Sequence, residues 1–143
     1  MFSRKKAEQE AAVAQLGDVT FFEGFTPEEL ARVADLADEV EAEAGAELMD
    51  QGRPGLECYV ILDGTAGVYF GGEHIATLEA GSMVGEMALI DHRPRSATVV
   101  AESPMRLLAF DTRHFRSLLD ELPKASQRVM SLLNARAQEN AAR

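Results

Sequence analysis

The sequence predicts a mostly β protein with flanking helices, organised as a β-roll or jelly roll of roughly eight short strands. Three observations lead to this prediction. Glycine-rich turn signals recur about every ten residues between 40 and 111, a spacing typical of short antiparallel strands. Helix-capping residues and helical periodicity occur on both sides of that region. The 143 residues suit one domain with a substantial core, so we expect a single domain over 1–143.

The N-terminal part, residues 1–39, is expected to be helical. Residues 7–16 favour a helix, and an apolar turn follows at 21–25. A second helix start is indicated by Thr26-Pro27-Glu28-Glu29, which combines a capping hydroxyl, a proline at the first position and a glutamate three residues after the cap. The apolar face of this helix is formed by Leu30, Val33, Ala34 and Ala37.

The central part, residues 40–111, is expected to contain the strands. Gly71-Gly72 predicts a tight hairpin between Val68-Tyr69-Phe70 and His74-Ile75-Ala76. The single cysteine, Cys58, lies in an apolar run, so we expect a buried, inert thiol rather than a nucleophile.

The C-terminal part, residues 112–143, is expected to supply a hinge and two helices. Asp111 and Thr112 can cap the first helix, whose apolar face is formed by Phe115, Leu118, Leu119 and Leu122. Pro123 ends that helix and can open the next, which is predicted from residue 124 to about 140. The apolar side of this last helix comprises Val129, Met130, Leu132 and Leu133.

Charge and hydropathy exclude several classes of partner. Residues 18–57 hold 12 of the acidic side chains and only two basic ones, so this segment accounts for the net charge of −10. Such a surface repels nucleic acid, and we interpret it as a solvated face rather than a docking patch. The sequence contains neither a secretory leader nor an apolar run long enough for a bilayer, so we expect a cytoplasmic protein without a membrane partner.

Catalytic chemistry is not indicated. The three histidines, His74, His92 and His114, are far apart and form no pair at metal-ligand spacing, which argues against a jelly-roll enzyme of the cupin type. We therefore expect no enzymatic activity, no metal site and no cofactor.

Residues 81–98 predict a binding site for a small anion that also carries a sugar hydroxyl. Gly85 permits a tight turn and close approach of a ligand, and a helical turn after it would direct unpaired amides at an anion. Arg95, beyond the corner at Pro94, can bind a phosphate at two points. Glu86, placed to one side, can accept a hydrogen bond from a ribose hydroxyl. Each residue alone has an ordinary structural explanation, but their order and spacing favour a binding site.

This stretch resembles the phosphate-binding cassette of cyclic-nucleotide-binding domains, at Gly85-Glu86-Met87-Ala88-Leu89 and at Arg93-Pro94-Arg95-Ser96-Ala97-Thr98-Val99. The resemblance implies that Glu86 holds the ribose 2′-hydroxyl, that Arg95 pairs with the cyclic phosphate and that Ser96 adds a polar contact. Backbone amides complete the cradle, and Val84 is a mild variant of the residue usual before the glycine. The ligand-binding residues implied are Val84, Gly85, Glu86, Met87, Ala88, Arg95, Ser96 and Ala97.

The resemblance also implies a function, a cyclic-nucleotide sensor whose C-terminal helices repack when ligand binds. Ser96 favours cAMP over cGMP, which stays a second candidate, and the alternative function is a ligand-free protein-interaction module. The candidates for apolar contact with the purine are Leu78, Met83, Val84 and Val99, although core packing explains these residues equally well. Ser126, Ser131 and Asn134 are candidates for reaching the base from the last helix.

The output of the sensor is expected to be a protein partner. The catabolite-activator members of this family carry a helix-turn-helix domain after the long helix, for which residues up to 143 leave no room. We therefore expect either a stand-alone domain that acts through an unidentified protein effector or a piece of a longer chain. The last helix suits a homodimer and a monomer equally.

Overall fold

Two antiparallel sheets and their flanking helices make up the computed structural model, which describes residues 2–6, 9–86, 89 and 94–142, with side chains for 13–86, 89 and 94–135. The described strands are β1 (Phe2–Lys6), β2 (Asp38–Ala42), β3 (Glu47–Met49), β4 (Glu57–Asp63), β5 (Ala66–Phe70), β6 (Glu73–Leu78), β7 (Met83–Val84), β8 (Thr98–Ala101) and β9 (Met105–Asp111). The helices are α1 (Gln9–Leu16), α2 (Pro27–Leu36), α3 (Thr112–Glu121) and α4 (Pro123–Ala142), with a 3₁₀ turn at Thr20–Phe22. The predicted fold class is confirmed.

The strands follow the orders β1-β2-β9-β4-β7 and β3-β8-β5-β6. Strand β4 shows how the two layers divide the core, because its side chains alternate between the two faces. Cys58 and Val60 pack towards the helices, whereas Tyr59 and Ile61 pack between the sheets. Because both faces of this strand are buried, its sequence is a continuous apolar run.

The helix caps predicted from the sequence are present. Thr26 Oγ1 accepts from the Glu29 amide at 3.2 Å, and Glu29 Oε1 accepts from the Thr26 amide at 2.8 Å, so the capping box is complete. The side chain of Asp111 accepts from the His114 amide at 2.8 Å and caps α3. Each cap satisfies amides that the first helical turn leaves without an intrahelical partner.

The hairpin between β5 and β6 is also confirmed. Phe70 pairs with Glu73, and the two glycines between them have φ of +58° (Gly71) and +83° (Gly72). A two-residue turn of this kind requires positive φ at both positions, which glycine adopts without strain.

The last helix crosses the N-terminal part of the chain. Arg128 donates to the carbonyls of Phe21 (2.6 Å) and Glu23, and Lys124 donates to the carbonyl of Gly24 at 2.9 Å. These contacts cap the carbonyls of the turn at 20–24 and attach α4 to it.

Two features differ from the sequence prediction. Met130 is 56% exposed, so the apolar side of α4 is narrower than predicted, with Val129 buried and Leu132 and Leu133 half-buried. Strand β1 was not predicted, because its sequence has no apolar alternation and its partner β2 lies beyond two helices. Residues 7 and 8, the first of the predicted α1, lie outside the described residues.

Candidate functional site

Arg95 lies in the interior, with 8% of its surface exposed, and two carbonyl groups hold its guanidinium. Nη1 donates to the carbonyl of Gly85 at 2.9 Å, and Nη2 donates to the carbonyl of Glu57 at 2.5 Å. The main chain of Arg95 is held as well: its amide donates to the carbonyl of Arg53 at 2.7 Å, and its carbonyl accepts from the amide of Gly52 at 2.9 Å. The guanidinium is therefore positioned by carbonyls at the adjacent ends of β4 and β7, and the Arg95 main chain by the loop at 52–53.

The charge of Arg95 is not cancelled by the groups that orient it, since both acceptors are neutral carbonyls. These two bonds use two of the five N–H donors of a guanidinium. Burial lowers the pKa of Arg95 from its usual value, and the nearby Tyr59, Cys58, Glu57 and Glu86 act in the opposite direction. An arginine remains charged under these conditions, so the site keeps a buried cation.

Gly85 makes room for this guanidinium. Its φ is +90°, and a Cβ at this position would lie 2.6 Å from Nη1 of Arg95, 3.0 Å from Sδ of Met49 and 3.3 Å from the carbonyl oxygen of Glu57. A side chain here would require both a strained backbone and a displaced arginine. The glycine is thus a structural requirement of the arginine position.

Glu86 is the first helical residue after Gly85, and its side chain is fully buried. Burial and, after it, the charge of Glu86 raise the pKa of the Cys58 thiol. Burial lowers the pKa of Arg95, and Glu86 is one of the nearby groups that act against this lowering. The buried, inert cysteine predicted from the sequence is confirmed as buried. The carboxylate and the guanidinium of the predicted cassette therefore lie close together.

The other predicted site residues surround this pair. Val84 is buried and pairs with Tyr59, Ser96 is exposed, and Ala97 is half-buried at the entry to β8. The structure does not describe Met87 and Ala88.

An open end of the roll lies beside the cassette. In the register of β5, Val68 pairs with Val99 on one side and with Ala76 on the other, so these three side chains point into the roll. Val99 is 2% exposed, whereas Val68 is half-buried and Ala76 is exposed. The inner face of the roll is therefore more exposed towards β6 than at Val99 in β8, the strand that begins three residues after Arg95. The sequence predicts Val68 and Ala76 as parts of the Gly71-Gly72 hairpin but not as site residues, although alternation along β5 indicates which of its side chains share a face.

The apolar residues proposed from the sequence as purine neighbours lie in two different hydrophobic clusters, one beside the helices and one between the sheets. Met83 packs with the helices, Val84 and Val99 pack between the sheets, and Leu78 is half-buried against the latter group. On the last helix, Ser126 is half-buried, Asn134 is exposed, and the Ser131 hydroxyl donates to the carbonyl of Gln127 at 3.1 Å.

Among the residues that the structure describes, no group of three histidine, cysteine, aspartate or glutamate side chains is placed to hold a metal ion. None of the described helices combines the length and apolar character that crossing a membrane requires.

Comparison with known proteins places this arrangement in a family. The family model for the cyclic nucleotide-binding domain matches residues 39–121. The chain is 32% identical over 119 residues to the type II regulatory subunit of cAMP-dependent protein kinase from Drosophila melanogaster, with 83% of this chain and 32% of that protein covered. It spans about a third of the length of the curated relatives that it matches.

Solved structures agree with this match. A cyclic nucleotide-binding domain from Methylobacillus flagellatus has a TM-score of 0.80 at 27% identity, covering 96% of this chain and 84% of that one. The regulatory subunit of a cAMP-independent protein kinase A from Trypanosoma brucei has a TM-score of 0.77 at 26% identity, covering 91% of this chain and 46% of that one. Sequence, fold and site geometry lead to one conclusion: the chain belongs to the cyclic nucleotide-binding domain family.

Proposed function

We propose that this protein is a regulatory sensor that binds a cyclic nucleotide, with cAMP favoured over cGMP. The observation that carries the proposal is the buried guanidinium of Arg95, held by the carbonyls of Gly85 and Glu57 with its charge intact. A cation kept in the interior by neutral groups is suited to an anion that enters from solvent, because attraction is stronger there than in water.

Each part of the ligand has a complementary group. The cyclic phosphate is bound by Arg95 through charge-assisted hydrogen bonds and by amides near Gly85. The ribose hydroxyl donates to a carboxyl oxygen of the buried Glu86. The base occupies the open end of the roll against Val68 and Ala76.

The identity of the base is a separate question from the identity of the phosphate. Ser96 follows the arginine, and in the family a serine or alanine there accompanies cAMP, which favours cAMP for this chain. The similarity to a kinase regulatory subunit supports the same ligand. Since the regulatory subunit of a cAMP-independent kinase is about as similar in fold, cAMP has to be tested against other nucleotides.

Ligand binding is proposed to act on an effector protein through the C-terminal helices. Arg128 and Lys124 attach α4 to the turn at 20–24, and this contact has to adjust when α4 repacks. Ligand can bias the change only if it binds one arrangement more tightly than the other. Monomer and homodimer, through α4, are both compatible with this scheme.

The test is thermal unfolding with cAMP, cGMP and 5′-AMP, in the wild-type protein, Arg95→Ala, Arg95→Lys and Arg53→Ala. Arg53 is the matched control, an arginine of the adjoining loop whose side chain is 78% exposed. At a hundred times its Kd a ligand adds about 2.7 kcal/mol, which raises Tm by about 5–12 °C for a domain of this size.

We expect stabilisation by cAMP in the wild type and in Arg53→Ala, none in Arg95→Ala and a weakened effect in Arg95→Lys, because lysine cannot form the two-point contact. Equal stabilisation by 5′-AMP, or equal losses in the Arg53 and Arg95 variants, contradicts the proposed site. If no nucleotide stabilises the wild type, the ligand-free interaction module replaces the sensor.

A further inference from the structure

Phe70 is a large aromatic residue with 54% of its surface exposed, at the end of β5 directly before the Gly71-Gly72 turn. A single exposed apolar side chain is common on proteins and carries no meaning by itself. Phe70 differs because the residue after it is connected through Gln51 to Thr98, at the start of β8.

The side chain of Phe70 belongs to the inner face of the roll. Tyr69 lies on the outer face, where its ring contacts that of His74 at 5.2 Å between centroids, and Val68 points inwards with Val99. The pairing with β6 is irregular between Val68 and Tyr69, where β6 has one extra residue, but the pairing of β5 with β8 is regular. Alternation along β5 therefore puts Phe70 on the same face as Val68. Its exposure therefore means that the ring lies at the open end of the roll.

The same register places Phe70 next to the cassette. The pairing of β5 with β8 ends at Tyr69 and Thr98, so Phe70 and Ala97 are the next residues beyond the last pair. Ala97 is two residues from the arginine assigned to the phosphate. A planar group attached to the sugar would then extend over the Phe70 ring.

The hairpin end that carries Phe70 is tied to the cassette strand. The Gly71 amide donates to Oε1 of Gln51 at 2.9 Å, and the Gln51 amide donates to Oγ1 of Thr98 at 3.0 Å. These two bonds connect the residue after Phe70 with the start of β8. A ring on a fixed backbone loses little conformational freedom when a ligand binds, which suits it to act as a platform, a flat surface on which a planar group stacks.

We propose that Phe70 is a specificity-determining residue whose ring stacks on the nucleobase from the roll side, independently of the last helix. The inference rests on the proposed function. Every base has a π-face, so stacking does not separate adenine from guanine. It does favour the larger purine ring over a pyrimidine, and it assigns purine selectivity to β5.

The experiment measures calorimetric Kd values for cAMP, for the pyrimidine analogue cCMP and for ribose 3′,5′-cyclic phosphate, which has no base. Proteins compared are the wild type, Phe70→Ala and Leu56→Ala, the latter a control at another exposed apolar residue (72% exposed). We expect Phe70→Ala to raise the Kd for cAMP by about 5- to 150-fold, because base–aromatic stacking has this magnitude. The Kd for cCMP divided by the Kd for cAMP should fall. Binding of the base-free compound is unchanged in both variants.

A second variant reports stacking directly. The chain contains no tryptophan, so Phe70→Trp introduces a single indole. We expect its fluorescence to be quenched by cAMP and not by the base-free compound.

The outcomes separate this inference from the proposed function. If the wild type binds none of the three compounds, the sensor and the platform both fail. If the wild type binds cAMP but Phe70→Ala leaves its Kd unchanged, or weakens the base-free compound equally, only the platform is overturned. Unchanged emission of Phe70→Trp on cAMP binding overturns it as well.

Discussion

Substitution of Gly85 by alanine tests whether the turn and the arginine form one unit. The added Cβ meets Nη1 of Arg95 at 2.6 Å, whereas an ordinary van der Waals contact begins at 3.4 Å. The guanidinium therefore has to move away, and its hydrogen bond to the Gly85 carbonyl is strained or lost. Backbone strain is added, because φ is +90° at this position.

Gly45→Ala is the matched control, since Gly45 also has φ of +90° but its Cβ would meet nothing within 4 Å. For Gly45→Ala only backbone strain applies, which costs about 1–2 kcal/mol. For Gly85→Ala a damaged hydrogen bond of a charged group adds about 1.5–3 kcal/mol. Urea unfolding should therefore give a loss of free energy of unfolding for Gly85→Ala that is two to three times that of the control, by these estimates.

Ligand affinity provides the second measurement. A misplaced guanidinium should lower the affinity for cAMP by about tenfold or more, whereas Gly45→Ala should bind cAMP as tightly as the wild type does. Two results would refute the reasoning: equal losses of stability in the two variants, or a Gly85→Ala protein with wild-type affinity. Either would mean that Arg95 does not depend on the space that the glycine leaves.

Three further predictions concern the interior and the C-terminal helix. Because Cys58 is buried and burial raises the pKa of its thiol, Ellman's reagent should react with it only after unfolding. Bound cAMP, at a hundred times its Kd, should therefore slow the reaction by about 100-fold, and an unchanged rate contradicts this prediction. Arg128→Met should cost about 1.5–3 kcal/mol in urea unfolding and speed amide exchange in α4, whereas unaltered exchange would show that the arginine does not hold the helix. The hydrogen bond from Lys124 lowers the pKa of Glu29 below its ordinary value of 4.5. The stability that this pair contributes is therefore present above pH 4.5 and is lost as pH falls through the folded-state pKa of Glu29. In Lys124→Met the loss of stability at acid pH should be smaller, and a pH profile identical to that of the wild type argues against the pair.

The parts of the fold that the sequence predicted correctly depend on neighbouring residues. The capping box at Thr26 and the hairpin at Gly71-Gly72 each involve residues within three or four positions, so their signals are local. Strand β1 depends instead on the edge of β2, more than thirty residues away, and nothing in its own sequence indicates that pairing. The exposure of Met130 depends similarly on how α4 is oriented on its neighbours.

The candidate site divides in the same way. The order of Gly85, Glu86 and Arg95 could be interpreted from the sequence because the cassette is one continuous segment. The carbonyl of Glu57 could not, since it is 38 residues from the arginine that it holds and a carbonyl has no sequence signature. Phe70 was assigned to a hairpin but not to the site, because its face and its neighbour across the sheet follow only from the register of β5 and β8.

The acidic character of the chain raises the question of how it can bind an anion. A net charge of −10 repels a phosphate at long range, but screening reduces interactions between exposed charges beyond about 8 Å at physiological ionic strength. The Arg95 guanidinium, by contrast, is buried and held by neutral acceptors, so its attraction for a phosphate in contact is screened much less. Binding is therefore decided by the few groups at the open end of the roll, and the acidic surface affects the rate of approach more than the stability of the complex.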